Sequence, residues 1–572
     1  MGATVARPPE AESIPRSRTT ARIATAATVV TWVAVALLAS RPESPLTPPL
    51  PPGAEAPWFL SRPAASLGLD RMDKEVSGLL SGLLLLSAGL AFLYSAREAW
   101  RGSLTVRRVL VVGILLHALA LAMPLFLSRD VYSYTIYGRM LSVHGANPYV
   151  SVPAAFPDDP VSPYVSPDWS LTPSLYGPAF VFIAGGLTRA AGSPAAAVLA
   201  FKLVAVLASI ATMILAAAAA RQARPERAAF AAAMVGWNPV VVLHGAAGGH
   251  NDTLVALAVA AAVLLILRRS ELLATGILAL GTLVKVSGGV PLLLGVIGAV
   301  ARRPRGERLR AAAVHIGIAA AVAAPFVIPF LQTRNPTLGF FTLTKLQAWW
   351  APSRLLGVTL RELGRILGSP TAGEVMAILV RWSFPAVFLA ALLGMSRHLG
   401  RRPQRIDAVL VVGAMAWMSI LGLMSSPLLL PWYVVWFLPL AWVLPRTART
   451  AAVVMSAALA ITELIAEPSR APLAWEVMGF GIQYVVTPLI LALLVWLLLD
   501  LRARLRLAPA EGFADPLLSE DVSAGGTRPG AEGGGVAEPA EEDRRHRTTG
   551  TGGGHQQAVH EEDAEHGHGQ PG

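Results

Sequence analysis

The sequence predicts an all-α polytopic membrane protein with about fourteen transmembrane helices. First, 54% of the 572 residues are hydrophobic and only 15% are charged, with a mean hydropathy of +0.54. A soluble domain usually carries about 25% charged residues. Second, apolar runs recur along the chain, and short clusters of arginine separate them. We therefore expect one transmembrane domain at residues 21–506, between cytoplasmic disordered tails at 1–20 and 507–572.

Each apolar run predicts one span. The first is too long for a signal-peptide core and lacks a convincing cleavage site, so we interpret it as a retained span. Several others, among them the pair within 271–300, are shorter than the ~20 residues of a perpendicular helix. The predicted spans are 23–40, 76–95, 109–127, 195–220, 228–243, 253–267, 271–284, 286–300, 310–330, 373–395, 406–424, 431–445, 449–466 and 478–500.

The charge of the connecting loops predicts the orientation. With the N-terminus inside, every loop on the cytoplasmic side is rich in arginine, as the positive-inside rule requires. The apolar stretch 178–192 is interpreted as a helix packed on the bundle at the outer surface, because counting it as a span would place the arginines at 221–227 outside. Since the net charge of +11 resides in these loops, nucleic-acid binding is not predicted.

The remaining composition limits the chemistry. No cysteine is present, which excludes thiol catalysis, disulfides and cysteine-bound metals. The C-terminal tail contains five histidines: His546, His555, His560, His566 and His568. They are best explained as part of a solvated tail, and any metal binding by them would be adventitious.

The outer loop at 128–194 contains the first cluster of candidate site residues. Asp130 lies where the third span ends, and a carboxylate there is unfavourable unless it has a partner or a water-filled cavity. An interface cap with an aromatic belt is the alternative for any one residue. The candidate substrate-binding residues around it are Arg129, Tyr132, Tyr134, Asn147, Tyr149 and Tyr176.

A second cluster follows the fifth span, in the sequence WNPVVVLHGAAGGHND at 237–252. His250, Asn251 and Asp252 emerge on the same predicted face as Asp130. Two acidic motifs in successive outer loops can converge on one cavity. The alternative is a glycine-rich turn in which Asp252 caps the next helix.

Three further residues are candidates at the same boundary. Lys285 interrupts an apolar stretch and either snorkels to the interface or contacts a phosphate, two interpretations that stay open. Trp432 and Tyr433 fit either an aromatic belt or sugar stacking. The loop 331–372, with Lys345, Trp349, Trp350 and Arg354, is a candidate cover for the cavity.

No nucleotide-binding or hydrolase motif of the GxxxxGK[ST], HExxH or GxSxG type is present. An outward-facing carboxylate site therefore needs a substrate that carries its own activation. A sugar linked to a lipid phosphate meets this requirement, because it reaches the site through the bilayer and its phosphate is the leaving group.

The motifs DVYSYTIYGRM, GANPY, LYGP, GGHND, LVK and PWYVVWFLP resemble the actinobacterial polyprenol-phosphomannose-dependent alpha-1,6-mannosyltransferases, which are membrane glycosyltransferases of the GT-C class. The resemblance covers roughly residues 76–445. It implies a GT-C-like helical bundle with an outward-facing cavity, and it matches Asp130 to the proposed base and Asp252 to the second acidic motif. The implied partners are a polyprenyl phosphate mannose donor, a glycan or glycolipid acceptor and membrane lipid, with no cofactor and no metal.

The implied reaction is a single displacement. Arg129 and Lys285 would hold the donor phosphate, and Asp130 would accept a proton from the acceptor hydroxyl, so that a β-linked donor gives an α-mannoside. His250 and Asp252 would orient neighbouring groups. The alternatives are a transporter or flippase for a lipid-linked sugar, a non-catalytic assembly partner, and a transferase for another sugar such as arabinofuranose or glucose.

Overall fold

The computed structural model describes residues 14–51, 59–331, 347–348, 350–401, 406–465, 471–507 and 517–519. The N-terminal tail up to residue 13, most of the predicted C-terminal tail with its five histidines, and Lys345 and Trp349 of the predicted cover lie outside the described residues.

Within the described ranges, all regular secondary structure is helical. The helices of the first part of the chain are α1 (Ile14–Ala39), α2 (Ser61–Ser66), α3 (Lys74–Trp100), α4 (Val106–Ala122), α5 (Asp130–Ser142), α6 (Pro167–Ser170), α7 (Pro178–Ala190), α8 (Pro194–Ala223), α9 (Ala228–Gly236) and α10 (Asp252–Leu267). They are followed by α11 (Glu271–Val284), α12 (Gly289–Ala301), α13 (Arg308–Val327), α14 (Pro352–Ile366), α15 (Pro370–Gly400), α16 (Ala408–Met424), α17 (Arg446–Leu459), α18 (Pro472–Gly481) and α19 (Thr487–Arg506).

The membrane character of the fold follows from the length and hydropathy of these helices. Among the described residues, 7 helical segments are long and apolar enough to cross a bilayer, or up to 8 if one bent pair forms a single span. Shorter apolar helices of 10–17 residues include α7, α10, α11 and α16. The all-α polytopic class is therefore confirmed, whereas the count of about fourteen spans is not.

The bent pair interrupts the predicted span at 228–243. α9 ends before Pro239, and the chain continues at an angle of 46° as a π-helical segment, Val240–Ala247. Proline cannot donate a backbone hydrogen bond, which explains a break at this point. The segment ends in a tight turn in which the amide of His250 donates to the carbonyl of Gly245 at 2.9 Å. This turn places residues 250–252 at the start of α10.

The predicted span at 431–445 is wrong as a single helix. It consists of two short 3₁₀ segments, Pro431–Trp436 and Leu438–Val443, in which Leu438, Ala441 and Trp442 are completely buried. Proline near the start of each segment removes an amide that a continuous helix would use. The apolar character of this stretch therefore reflects burial inside the bundle, where its aromatic side chains reach the candidate site.

Candidate active site

Asp130 is the first residue of α5, and its position is fixed by the turn before it. The amide of Asp130 donates to Ser128 Oγ at 3.1 Å, and the amide of Leu127, at φ 54°, donates to the carbonyl of Leu46 at 3.0 Å. A carboxylate in the first turn of a helix is stabilised by the helix dipole. The Asp130 side chain remains 19% exposed.

The structure brings Asp130 together with the second predicted cluster. His250 Nδ1 lies 3.6 Å from Asp130 Oδ2, and the hydroxyl of Tyr134 donates to the same oxygen at 3.4 Å. The Tyr134 hydroxyl also lies 3.3 Å from His250 Nδ1 and 3.5 Å from Asn251 Oδ1. Segments more than a hundred residues apart in the chain thus share one polar centre.

The surroundings of Asp130 shift its protonation. α5 is not among the candidate spans, and here burial raises the pKa of Asp130 to about 6, while the positive charge of Lys285 opposes the shift and the negative charge of Asp252 adds to it. A pKa in this range leaves the carboxylate mostly ionised at neutral pH and makes it a stronger base than an ordinary aspartate.

Asp252 lies in a different environment. Both of its oxygens accept hydrogen bonds from Lys285 Nζ, at 2.8 and 2.9 Å, and Oδ1 also accepts from Trp436 Nε1 at 2.6 Å. The Asp252 side chain is completely buried. Lys285 therefore does not snorkel to the interface but forms a buried ion pair, and its ammonium also lies 4.0 Å from the centroid of the Tyr433 ring.

A cavity of 260 Å³ adjoins this ion pair. Lys285, Ser287 and Ser426 contribute polar groups to its lining, while Phe388, Met418 and Leu423 contribute apolar ones. Tyr433 and Trp436, whose rings stack at 4.5 Å, also line it. The cavity thus combines a buried cation, several serine side chains and an apolar wall.

The Tyr176–Gly177–Pro178 segment fixes the end of α11, which leads into Lys285. The amide of Gly177 donates to the carbonyl of Val284 at 3.0 Å, and a Cβ at residue 177 would lie only 2.0 Å from the carbonyl oxygen of Leu283. Only glycine allows this approach. The carbonyl of Tyr176 in turn accepts from the Tyr149 hydroxyl at 2.7 Å.

The other predicted residues differ in what they contact. Trp432 stacks on His250 with ring centroids 3.8 Å apart, beside the polar centre. Asn147 Oδ1 accepts from the amide of Tyr149 at 2.9 Å, which is a local turn. Tyr132 packs against Tyr164 at 4.9 Å. The side chain of Arg129 forms no hydrogen bond or ion pair with any residue that the structure describes, whereas its carbonyl accepts from the amide of Tyr132 at 2.9 Å.

Sequence reasoning missed Lys202, which supports the segment leading to Asp130. This buried residue of α8 donates to the carbonyls of Leu121, at 3.2 Å, and Met123. A single charge inside the apolar run 195–220 was the available signal, because a lysine there needs a buried partner.

Sequence reasoning also missed an ionic cluster that anchors the outer loop to α5. Asp159 accepts from Arg139 Nε at 2.8 Å and contacts His144 Nε2 at 2.7 Å. Burial opposes ionisation of this carboxyl, but hydrogen bonds from His144, the Val161 amide and Arg139 outweigh it and lower the pKa of Asp159. The cluster orders the loop that follows the base candidate.

Within the described ranges, no group of three or more histidine, aspartate or glutamate side chains is placed to hold a metal ion. The acidic side chains of the candidate site contact histidine, lysine, tyrosine and tryptophan instead.

Comparison with known proteins agrees with the motif resemblance. The family model described as "Alpha-(1->6)-mannopyranosyltransferase, N-terminal domain" matches residues 55–303. Alpha-(1->6)-mannopyranosyltransferase A of Mycobacterium tuberculosis is 27% identical over 396 residues, covering 66% of this chain and 74% of that protein. Alpha-(1->6)-mannopyranosyltransferase B of Corynebacterium glutamicum is 26% identical over 380 residues, covering 62% of this chain and 61% of that protein. No solved structure gives a significant match.

These matches confirm the resemblance to the actinobacterial alpha-1,6-mannosyltransferases and support glycosyltransferase activity. The matched residues 55–303 contain Asp130, His250, Asp252 and Lys285.

Proposed function

We propose that this chain, a relative of the alpha-(1->6)-mannopyranosyltransferases, transfers mannose from polyprenyl phosphate mannose to a hydroxyl of a cell-envelope glycan or glycolipid. The reaction inverts the anomeric centre and forms an α-mannoside, with α-1,6 as the favoured linkage. The observation that carries the proposal is Asp130, a carboxylate that forms no ion pair with any lysine or arginine among the described residues. It lies close enough to Lys285, in the lining of the cavity, to interact with it electrostatically.

Asp130 acts as the general base. Its carboxylate contacts His250 and Tyr134, and no lysine or arginine side chain among the described residues forms an ion pair with it. It is therefore available to accept the proton of an acceptor hydroxyl as that oxygen attacks the anomeric carbon. Such base catalysis typically contributes about 10²–10⁴ in rate.

Unpaired polar atoms beside Asp130 support sugar binding there. His250 Nε2, Asn251 Nδ2 and Trp432 Nε1 are buried and have no hydrogen-bond partner in the part of the chain that the structure describes. Buried polar atoms nearly always bind a protein group, water or ligand. Hydroxyl groups of a sugar can satisfy all three.

The cavity beside Lys285 suits the phosphate end of a lipid-linked donor. Lys285 and the hydroxyls of Ser287 and Ser426 can interact with the phosphate, while Phe388 and Leu423 contact the apolar chain. Arg129, which has no ion pair within the described ranges, is a second candidate for phosphate binding. Positive charge placed where the leaving phosphate gains negative charge stabilises the transition state.

Asp252 positions Lys285 in this scheme. The bidentate contact of its carboxylate with the ammonium, together with the hydrogen bond from Trp436, fixes the cation at the cavity wall. The same pairing compensates the positive charge when no donor is bound, since a buried unpaired charge is strongly unfavourable.

The proposal places the site on the extracytoplasmic side, with both termini in the cytoplasm and the shorter apolar helices completing a bundle of about fourteen spans. Reporter enzymes fused after Gly248 and after Arg305 test this arrangement. We expect an extracytoplasmic signal at the first position and a cytoplasmic signal at the second. A cytoplasmic signal at Gly248 would contradict the outward-facing site.

Membranes that contain the full chain, incubated with polyprenyl phosphate carrying labelled mannose, test the reaction. We expect label in an acceptor glycan as an α-mannoside, with little transfer from the corresponding glucose and arabinofuranose donors. Preferential use of another donor would assign a different sugar. Label that changes leaflet while still attached to the polyprenyl phosphate would indicate a flippase instead.

A further inference from the structure

A second, larger cavity lies far from the candidate active site. It measures 500 Å³ and is formed by α11, α13 and the loops that precede them. Glu271, at the start of α11, lines it, whereas Lys285 follows the other end of that helix. A helix of 14 residues separates the two by about 20 Å, so the cavities are distinct.

The charge of this cavity is only partly neutralised within the protein. Arg269, Arg303 and Arg310 line it together with Glu271 and Glu307. Arg303 lies 3.9 Å from Glu271, at the limit of an ion pair. The side chains of Arg269 and Arg310 form no hydrogen bond or ion pair with any residue that the structure describes. Two guanidinium groups are therefore available to a ligand.

Two further features accompany these arginines. Arg302 donates to Glu271 at 2.6 Å, but its Nε and Nη1 are buried without a hydrogen-bond partner among the described residues. Arg269 has a backbone φ of 64°, which is unusual for any residue except glycine. Unsatisfied charged nitrogens and backbone strain both persist more easily where a ligand compensates them.

The cavity lies where the protein surface passes from polar to apolar. The candidate membrane span of residues 305–330 begins at its edge, which places the arginines at the level of lipid headgroups. Leu272 and Val314, which also line the cavity, are 47% and 43% exposed, and Leu309 beside them is 83% exposed. A ligand here would have an anionic group next to hydrocarbon.

We infer that this cavity binds the phosphate of an anionic phospholipid, with its acyl chains along Leu272 and Val314. Arginine recognises phosphate oxygens through paired N–H donors, and basic pockets at the ends of transmembrane helices suit such headgroups. A soluble phosphate compound would gain nothing from the exposed leucine and valine side chains. The inference does not depend on the proposed sugar transfer.

Native mass spectrometry of the full chain tests this inference, after incubation with phosphatidylglycerol or with phosphatidylcholine. The test variant combines Arg269→Gly, which also removes the unfavourable φ, with Arg310→Ala. The matched control, Arg221→Ala with Arg224→Ala, removes the same charge from another arginine-rich loop. We expect the wild type and the control to retain phosphatidylglycerol in preference to phosphatidylcholine, and the test variant to bind it about thirtyfold more weakly.

Equal retention by the test variant and the wild type would overturn the inference. An equal loss in the control would also overturn it, because the attraction would then be a diffuse effect of net charge. Displacement of the lipid by an equimolar amount of inorganic phosphate would show a site for a free anion instead. A melting curve like that of the wild type for the double variant, Arg269→Gly with Arg310→Ala, establishes that its loss of binding does not reflect unfolding.

Discussion

Asp130 and Asp252 occupy equivalent positions in two helices but lie in different electrostatic environments. Each is the first residue of its helix and follows a polar turn. Asp252 is completely buried, with both oxygens bound to Lys285. Asp130 is partly exposed, and its carboxylate contacts a histidine and a tyrosine hydroxyl but no lysine or arginine that the structure describes. We therefore propose that Asp130 accepts the proton, while Asp252 holds the Lys285 ammonium in place.

The largest effect is expected from Asp130→Asn. This substitution keeps the shape of the side chain but removes its ability to accept a proton, so transfer should fall by about 10²–10⁴. Turnover of labelled polyprenyl phosphomannose, normalised to the amount of protein in the membrane, measures it. The melting temperature should stay close to that of the wild type, because no ion pair is lost. A rate near that of the wild type would remove Asp130 from the role of base.

Asp252→Asn should act mainly on stability. It leaves Lys285 buried without its counterion, which is expected to destabilise the fold by about 3–5 kcal/mol. Thermal unfolding in detergent measures this loss.

The double variant Asp252→Asn with Lys285→Met is the control for that result. It removes both charges together, so it should recover part of the lost stability, because the two sites are directly coupled. It should not recover donor binding, since the cation is gone. If the double variant is as unstable as the single one, the ion pair is not what stabilises this region.

The sequence predicted the two acidic motifs because the residues of each motif are close together in the chain. A carboxylate beside the end of an apolar run is visible in the sequence, and so is the alternation of arginine-rich loops. The pairing of Asp252 with Lys285 and Trp436 was not predictable, because it depends on how three distant segments pack. For the same reason, the apolar stretch 431–445 was misread as one continuous helix: hydropathy alone does not show that its backbone forms two short 3₁₀ segments.

The dependence of the transfer rate on pH tests the role of Asp130 as the general base. A base works only when it is deprotonated, and the pKa of Asp130 is raised to about 6. The value of kcat/KM should therefore be constant above that pH and fall by about tenfold for each unit below it. Rates measured in buffers of constant ionic strength give this acid limb. A flat profile down to about pH 4, the range of an unperturbed aspartate, would show that this carboxyl does not control the rate.

Tyr134→Phe should give the smallest effect and the most specific one. The hydroxyl of Tyr134 donates to Asp130 at 3.4 Å, a long hydrogen bond whose loss should change the rate near neutral pH by about twofold. Because this bond stabilises the ionised carboxylate and lowers its pKa, removing it should move the acid limb to higher pH. Tyr137→Phe is the matched control, since that hydroxyl donates to the carbonyl of Thr172 at 2.7 Å and should leave the limb in place. An equal shift in both variants would mean that the tyrosines act through packing, and the limb could no longer be attributed to the hydrogen bond between Tyr134 and Asp130.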